Sequence, residues 1–234
     1  MASQKPAQPN QSLIRGLDVL QALVSAGRPV GSRELGRQLT LEHTRVNRFL
    51  GTLAFLGLAE KTPDRRYTVG PAIHVISAQS MKGSGLLASA LPVLRELPAG
   101  NLNIALGVLW RDQVCYLFHG RIGRDFDRGI GRHDVYPADK SSIGWVLLAH
   151  RREMPPGMGK SPGPERLKRV RAAGYALLET GRSNFSVSVP VGTPPVAGIA
   201  VAGVMTAGEA RAWVGPLRQA AGRIEDGMVQ IRKS

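Results

Sequence analysis

Thr44, Asn47, Arg48 and Gly51 recur at steps of one to four residues, so on a helix they share one face. Their chemistry is that of base-edge recognition. An arginine guanidinium can form two parallel hydrogen bonds with guanine, and an asparagine amide can do the same with adenine. A small residue lets the helix sit deep in a groove. Arg45 and Thr52 lie on the flank of this face. A solvated helix face carries the same residue types, so the chain on either side has to decide between the two readings.

Rival chemistry is thin. His119, His133, Asp134 and Asp139 fall around one arginine-rich stretch and can be imagined as metal ligands. Their spacing matches no metal motif, and the arginines would repel a cation. Cys115 sits in an apolar, strand-like run, where a cysteine is usually buried and inert. As the only cysteine, it excludes an intrachain disulfide and fits a reducing compartment. The chain has no G-x-S-x-G, Walker or dinucleotide-type glycine pattern, and Gly129-Ile130-Gly131 has no following helix to hold phosphate. Trp110, Trp145, Tyr116 and Phe126 read first as core residues and second as walls of a ligand cavity. The expectation is a protein that is not an enzyme and has neither metal nor cofactor.

The elements that must position the Arg48 face can be read outward from it. Leu13, Leu17, Leu20 and Val24 mark an amphipathic helix to about Ser25, capped by Ser12 and stopped by Gly27. Ser32 is expected to cap a short helix with Leu35 and Leu39 inward. Thr40 is expected to cap a third helix reaching Phe55 or Leu56. The apolar set of that helix is Val46, Phe49, Leu50, Leu53 and Leu56, opposite Thr44, Asn47, Arg48 and Gly51. Gly57 ends it. Leu58–Lys61 and Arg66–Val69 read as two strands around Thr62-Pro63-Asp64-Arg65, a turn with Arg65 and Arg66 at its tip. A helix-turn-helix followed by a basic hairpin is a winged helix-turn-helix, which lays one helix in the major groove and a basic tip on the backbone.

The remainder has a different texture. Pro71–Met81 is helical, and Lys82-Gly83-Ser84-Gly85 reads as a joint. Leu86–Leu97 is helical, with Pro92 a point for a kink. Asn103–Trp110 and Gln113–His119 are strands joined by Arg111-Asp112. Arg121–Asp139 reads as a glycine-bearing loop with one strand at most. Ser141–Arg151 and Glu165–Ala173 are helices, Phe185–Val191 and Val196–Val204 are strands, and Glu209–Ile231 is a closing helix. Strands without β-α-β alternation predict an α+β unit on an antiparallel sheet. The expected division is a flexible tail over 1–11, a winged helix-turn-helix over 12–70, a helix and hinge over 71–85, and a ligand-binding, oligomerising domain over 86–234.

Composition bounds the partners. The chain of 234 residues is 43% hydrophobic and 21% charged, enough for a real core. It carries 31 Lys plus Arg against 17 Asp plus Glu, a net charge of +14. That favours an anionic partner, nucleic acid first, although an arginine-rich genome also yields basic proteins. The charge is +6 over residues 1–84 and +8 over 85–234, so charge alone does not locate the site. The first residues, MASQKPAQPNQS, lack an apolar signal core, and no run is apolar and long enough to span a membrane. The expected location is cytoplasmic.

These motifs resemble those of the IclR-type transcriptional regulators. The resemblance rests on Ser12–Leu20, the third helix with Arg48, and Arg66-Tyr67-Thr68-Val69-Gly70-Pro71. Further on it rests on Pro137–Ala149 (PADKSSIGWVLLA), Gly174-Tyr175-Ala176, Val187–Val191 and Ala200–Gly203. It implies an α+β fold with a GAF-like C-terminal domain, and a homodimer or tetramer on double-stranded DNA. It also implies a small-molecule effector, an organic acid or aromatic, and repression or activation of transcription. The implied DNA contacts are Ser32, Arg33, His43, Thr44, Arg45, Asn47, Arg48, Thr52, Arg65 and Arg66. The implied effector contacts are Ser142, Ile143, Gly144, Ser186, Ala200 and Ala202. The sequence departs from the family where Ala200 and Ala202 replace serines on the last strand. A second reading therefore stands beside the first: a basic DNA-binding or architectural protein of the same fold whose C-terminal domain senses nothing.

Overall fold

The computed structural model describes residues 7–123, 126–130, 135–151, 153–154 and 162–231. They fall into two compact units, one ending at Lys82 and the other beginning at Gly83.

The first unit opens with α1 (Gln11–Ala26). Its cap is Asn10, whose side chain accepts the Leu13 N–H at 3.0 Å, two residues earlier than the predicted Ser12. Gly27, at φ 61°, ends it in the left-handed conformation as expected. The face that enters the core is Val19, Ala22 and Leu23. Leu13, Leu17 and Val24 of the predicted stripe are exposed, Leu13 by 61%. The helix has two apolar sides, and periodicity alone does not say which of them its own unit covers.

Two caps are corrected next. In α2 (Ser32–Leu39), Ser32 is the first helical residue and Gly31 the cap. Thr40 has φ 54° and closes α2, its N–H bonded to the carbonyls of Arg37 and Gly36. α3 (His43–Phe55) therefore begins three residues beyond Thr40, after Glu42. The turn between them depends on Gly36. A Cβ there would lie 2.8 Å from the Leu41 carbonyl oxygen, and the Leu41 N–H already bonds the Gly36 carbonyl at 2.9 Å. α3 buries Val46, Leu50 and Leu53 as predicted. Leu56 is exposed because the helix stops at Phe55. Leu35, Val46 and Leu50 have no exposed surface, and each contributes about 1.5–3 kcal/mol by burial.

β1 (Ala59–Lys61) and β2 (Tyr67–Val69) form the antiparallel wing, with Lys61 opposite Tyr67. Val30 bridges the other side of Tyr67. The Val30 N–H donates to the Tyr67 carbonyl at 2.9 Å and the Tyr67 N–H to the Val30 carbonyl at 2.8 Å. The wing is thus pinned to the α1–α2 turn. α4 (Ala72–Ser84) buries no residue and runs through Gly83, so the predicted break falls at Gly85, whose φ is 64°.

The second unit contains α5 (Leu86–Arg95), β3 (Asn103–Trp110), β4 (Gln113–Gly120), β5 (Val135–Pro137) and α6 (Ser142–Leu148). α7 (Pro164–Ala173), β6 (Ala176–Gly181), β7 (Asn184–Val191), β8 (Ala197–Val204), α8 (Ala207–Ala212) and α9 (Val214–Ile231) follow. Short 3₁₀ turns occupy Phe126–Gly129 and Ala138–Lys140. Pro92 sits inside α5 without ending it. The six strands form one sheet in the order β5-β4-β3-β8-β7-β6, every pair antiparallel. β3 and β8 pair across the middle, which joins the two hairpins into one sheet. β6 was not predicted; its Glu179-Thr180-Gly181 end gives an edge strand no alternating pattern. The predicted closing helix divides at Trp213, and a reciprocal cap between Thr206 and Glu209 starts α8.

The sheet separates two cores. One face packs Leu106, Phe118, Val187, Val189, Ile199 and Val201 with residues of α5 and α9. The other packs Ala105, Val114, Ala176 and Ala200 with α6, and α7 also contributes. On the α6 side the sheet contributes the small residues Ala105, Ala176 and Ala200, and that is where the second candidate site lies.

Candidate DNA interface and ligand site

The core side of α3 fixes which of its side chains point out. Thr44, Asn47, Arg48 and Gly51 are all exposed, as predicted. They are not equivalent. The guanidinium of Arg48 has no hydrogen-bond or ion-pair partner among the described residues, so nothing internal competes for it. The Asn47 Oδ1 accepts a hydrogen bond from the Tyr67 hydroxyl at 3.4 Å. The Arg45 guanidinium lies 5.7 Å from the centre of the Phe49 ring. The Thr52 hydroxyl donates to the Arg48 carbonyl at 3.1 Å, a bond along its own helix. Arg45 and Thr52 are thus turned back toward α3 in the unbound protein.

Beside the turn, Arg33, Arg37 and His43 line an open depression of about 810 Å³ with Gly36, Thr40, Leu41 and Glu42. Arg37 was not among the predicted contacts. Ser32 is half-buried. Not every arginine here is available. Arg28 bonds Glu34 at 2.5 Å, and that hydrogen bond holds the Glu34 carboxyl below the usual carboxylate range.

The wing tip also distinguishes its two arginines. The Thr62 hydroxyl donates to Asp64 Oδ1 at 2.5 Å, which is the first cause of the lowered Asp64 carboxyl pKa. Asp64 in turn meets Arg66 Nε at 3.3 Å, and Arg66 Nη1 donates to the Pro29 carbonyl at 3.5 Å. Arg65 stands at φ 63° with no side-chain partner among the described residues. Arg66 braces the tip, and Arg65 at it is free among the described residues.

In the second unit, the predicted ligand residues do converge. Ser141 caps α6, its Oγ accepting the Gly144 N–H at 3.2 Å and meeting the Tyr116 hydroxyl at 3.2 Å. Burial raises the Tyr116 pKa, so its hydroxyl keeps its proton. The hydroxyls of Ser142 and Ser186 share a 2.8 Å hydrogen bond. Ala202 faces Ser186 across the β7–β8 ladder, and Ala200 faces Ser188. Ile143, Gly144 and Ala200 are buried. Trp145 Nε1 donates to the Asp139 carbonyl at 2.7 Å, which ties α6 to the preceding turn. Ser188, missed in the sequence, is fully buried on this face and its hydroxyl lacks a hydrogen-bond partner among the described residues. Its period-two relation to Ser186 was the available signal. Phe126, by contrast, belongs to the core on the other side of the sheet, and Trp110 is half exposed.

Of the residues imagined as a metal cluster, His133 and Asp134 lie outside the described residues. Among the described residues no three His, Cys, Asp or Glu side chains gather as a metal site. No helix there is long and apolar enough to cross a membrane.

A bihelical turn with its second helix exposed, backed by a three-segment wing, defines the class of winged helix-turn-helix DNA-binding proteins. Residues 12–63 match the IclR helix-turn-helix domain. The chain is 30% identical over 222 residues to the HTH-type transcriptional regulator BhcR of Paracoccus denitrificans, covering 85% of this chain and 77% of that one. It is also 30% identical over 144 residues to the HTH-type transcriptional regulator KdgR of Dickeya chrysanthemi, covering 60% and 46%. The chain belongs to the IclR family and is a DNA-binding transcriptional regulator. In fold it matches an IclR transcriptional regulator from Alicyclobacillus acidocaldarius at a TM-score of 0.67, with 20% identity over 94% of this chain and 100% of that one. It matches an IclR homologue from Microbacterium hydrocarbonoxydans, solved with 4-hydroxybenzoate, at 0.60, with 22% identity over 94% and 100%. The predicted α+β fold is the one found.

Proposed function

We propose that the chain regulates transcription in the cytoplasm by binding a near-palindromic operator as a homodimer, or as a tetramer, under control of a small organic acid or aromatic effector. The observation that carries the reading is the outer face of α3. Arg48 stands beside Asn47 and Thr44, with no side-chain partner among the described residues, on a helix whose opposite side is locked by Val46, Leu50 and Leu53. Arg48 reads a base edge, supported by Asn47 and Thr44. Arg33, Arg37, His43 and Arg65 meet phosphates, with Ser32, Arg45, Thr52 and Arg66 at the margin of the contact. Pairing is supported by the exposed Leu13, Leu17 and Val24 of α1, an apolar stripe that this unit's own core leaves uncovered.

The wing gives the first test. Replacing Arg65 with Ala is expected to flatten the dependence of log affinity on log salt by about one unit, as one phosphate contact is lost. Replacing Arg66 is expected to change it less, because Asp64 already holds that cation. Equilibrium titrations at several salt concentrations measure both; an unchanged slope for Arg65→Ala removes it from the interface.

The effector would lie against Ser142, Ile143, Gly144, Ser186, Ala200 and Ala202. It would act by favouring one spacing of the paired reader units, and only as far as its affinities for the two spacings differ. A ligand that binds only the folded state raises its melting temperature. The full-length protein is therefore expected to melt higher with at least one member of a panel of small carboxylates and aromatics that includes 4-hydroxybenzoate. No shift with any of them favours the non-sensing alternative.

A further inference from the structure

Given the reading above, in which the outer face of α3 meets base edges, we propose that Tyr67 is a positioning residue. It sets which way the Asn47 amide faces, and so which base Asn47 accepts. Tyr67 is held from several sides within the wing. Its backbone bonds Val30 on one side and pairs with Lys61 on the other. Its ring is only 4% exposed within the core that includes Val46 and Leu50, and Lys61 Nζ sits 5.9 Å from the ring centre. A ring held in this way fixes the place of its hydroxyl, and because a phenolic O–H donates better than it accepts, the amide oxygen is the end of Asn47 it favours. That donor reaches Asn47 Oδ1 at 3.4 Å.

The consequence follows from the shape of the amide. With the carbonyl oxygen turned toward Tyr67, the two N–H bonds of Nδ2 lie on the other side, toward the open face of α3. Bidentate reading of adenine needs an acceptor and a donor side by side at the groove. Guanine presents two acceptors there, and thymine presents O4. Asn47 held by Tyr67 offers the groove donors alone. It therefore reads guanine or thymine, and not the adenine that an unrestrained asparagine prefers. Removing the Tyr67 hydroxyl frees the amide to turn, and adenine becomes acceptable.

The test selects binding sites from random double-stranded DNA with the full-length protein and with Tyr67→Phe, Asn47→Ala and Arg48→Ala. The expected wild-type motif has guanine or thymine at one symmetric pair of positions that loses its preference in Asn47→Ala. Tyr67→Phe should admit adenine at the same pair, shrinking discrimination there roughly fivefold, the worth of one ordinary hydrogen bond. The rest of the motif should hold. A wild-type preference for adenine at that pair overturns the proposal. So does a Tyr67→Phe motif identical to wild type while Asn47→Ala alters it, or a lowered melting temperature with the motif intact, since either leaves Tyr67 as a core residue only. If neither Asn47→Ala nor Arg48→Ala changes the motif, the base-reading role of α3 falls as well.

Discussion

Replacing Arg48 with Ala is expected to cost about 1–3 kcal/mol on the specific operator, roughly five- to 150-fold in affinity, and to relax preference at one position. Affinity for random DNA should change far less. The size follows from what Arg48 does in the free protein, which is nothing that stabilises it. The side chain is exposed, its guanidinium has no partner among the described residues, and the backbone carbonyl that Thr52 bonds remains in the alanine variant. Alanine is also a better helix former, so α3 should keep its fold and its packing through Val46, Leu50 and Leu53. The loss then belongs to the complex and not to the protein. Titrations against the selected site and against random sequence separate the two: equal losses on both make Arg48 a phosphate contact and nothing more.

Replacing Gly144 with Ala is expected to destabilise the second unit by about 1–3 kcal/mol and to abolish any effector response. A Cβ at this position would lie 2.1 Å from the Ala138 carbonyl oxygen and 2.6 Å from its Cα. Both are backbone atoms, so no change of rotamer relieves the contact, and α6 or the 3₁₀ turn before it must move. Moving α6 breaks the Ser142–Ser186 hydrogen bond and the Ser141 cap together. Thermal unfolding of the full-length protein should show the loss as a lowered midpoint. DNA binding at temperatures well below that midpoint should persist, because the reader's own core does not include α6. A variant with the wild-type midpoint would mean that the contact is relieved cheaply and that α6 is not held as described.

How much of this was legible in the sequence varied with the kind of signal. The α3 face was readable because a single core side, Val46, Leu50 and Leu53, fixes the opposite side of the helix. α1 misled for the converse reason: it has two apolar sides, and the stripe through Leu13, Leu17 and Val24 is the one left exposed. Caps were misplaced by one or two residues because Ser, Thr and Asn serve helix ends in more than one way. Thr40 took a left-handed conformation to close α2 where it was expected to open α3. The proposed effector residues came from a family resemblance, and the structure brings them together: Ser186 and Ala202 are partners across one ladder, and Ser142 bonds Ser186. What no local pattern reveals is a pairing distant in sequence. Tyr67 and Asn47 are 20 residues apart, and only the folded wing brings the hydroxyl to the amide. The inequality of Arg65 and Arg66 is of the same kind, since it depends on where Asp64 and Pro29 lie.

The proposed role of the Thr44, Asn47 and Arg48 face of α3 is to read operator DNA. Selection of bound sequences from a random double-stranded pool, with wild-type and Arg48→Ala proteins in parallel, tests it most directly. The expected result is a near-palindromic wild-type motif in which Arg48→Ala loses information at one symmetric pair of positions. A wild-type pool no more enriched than its input, or a motif that Arg48→Ala leaves intact, contradicts it.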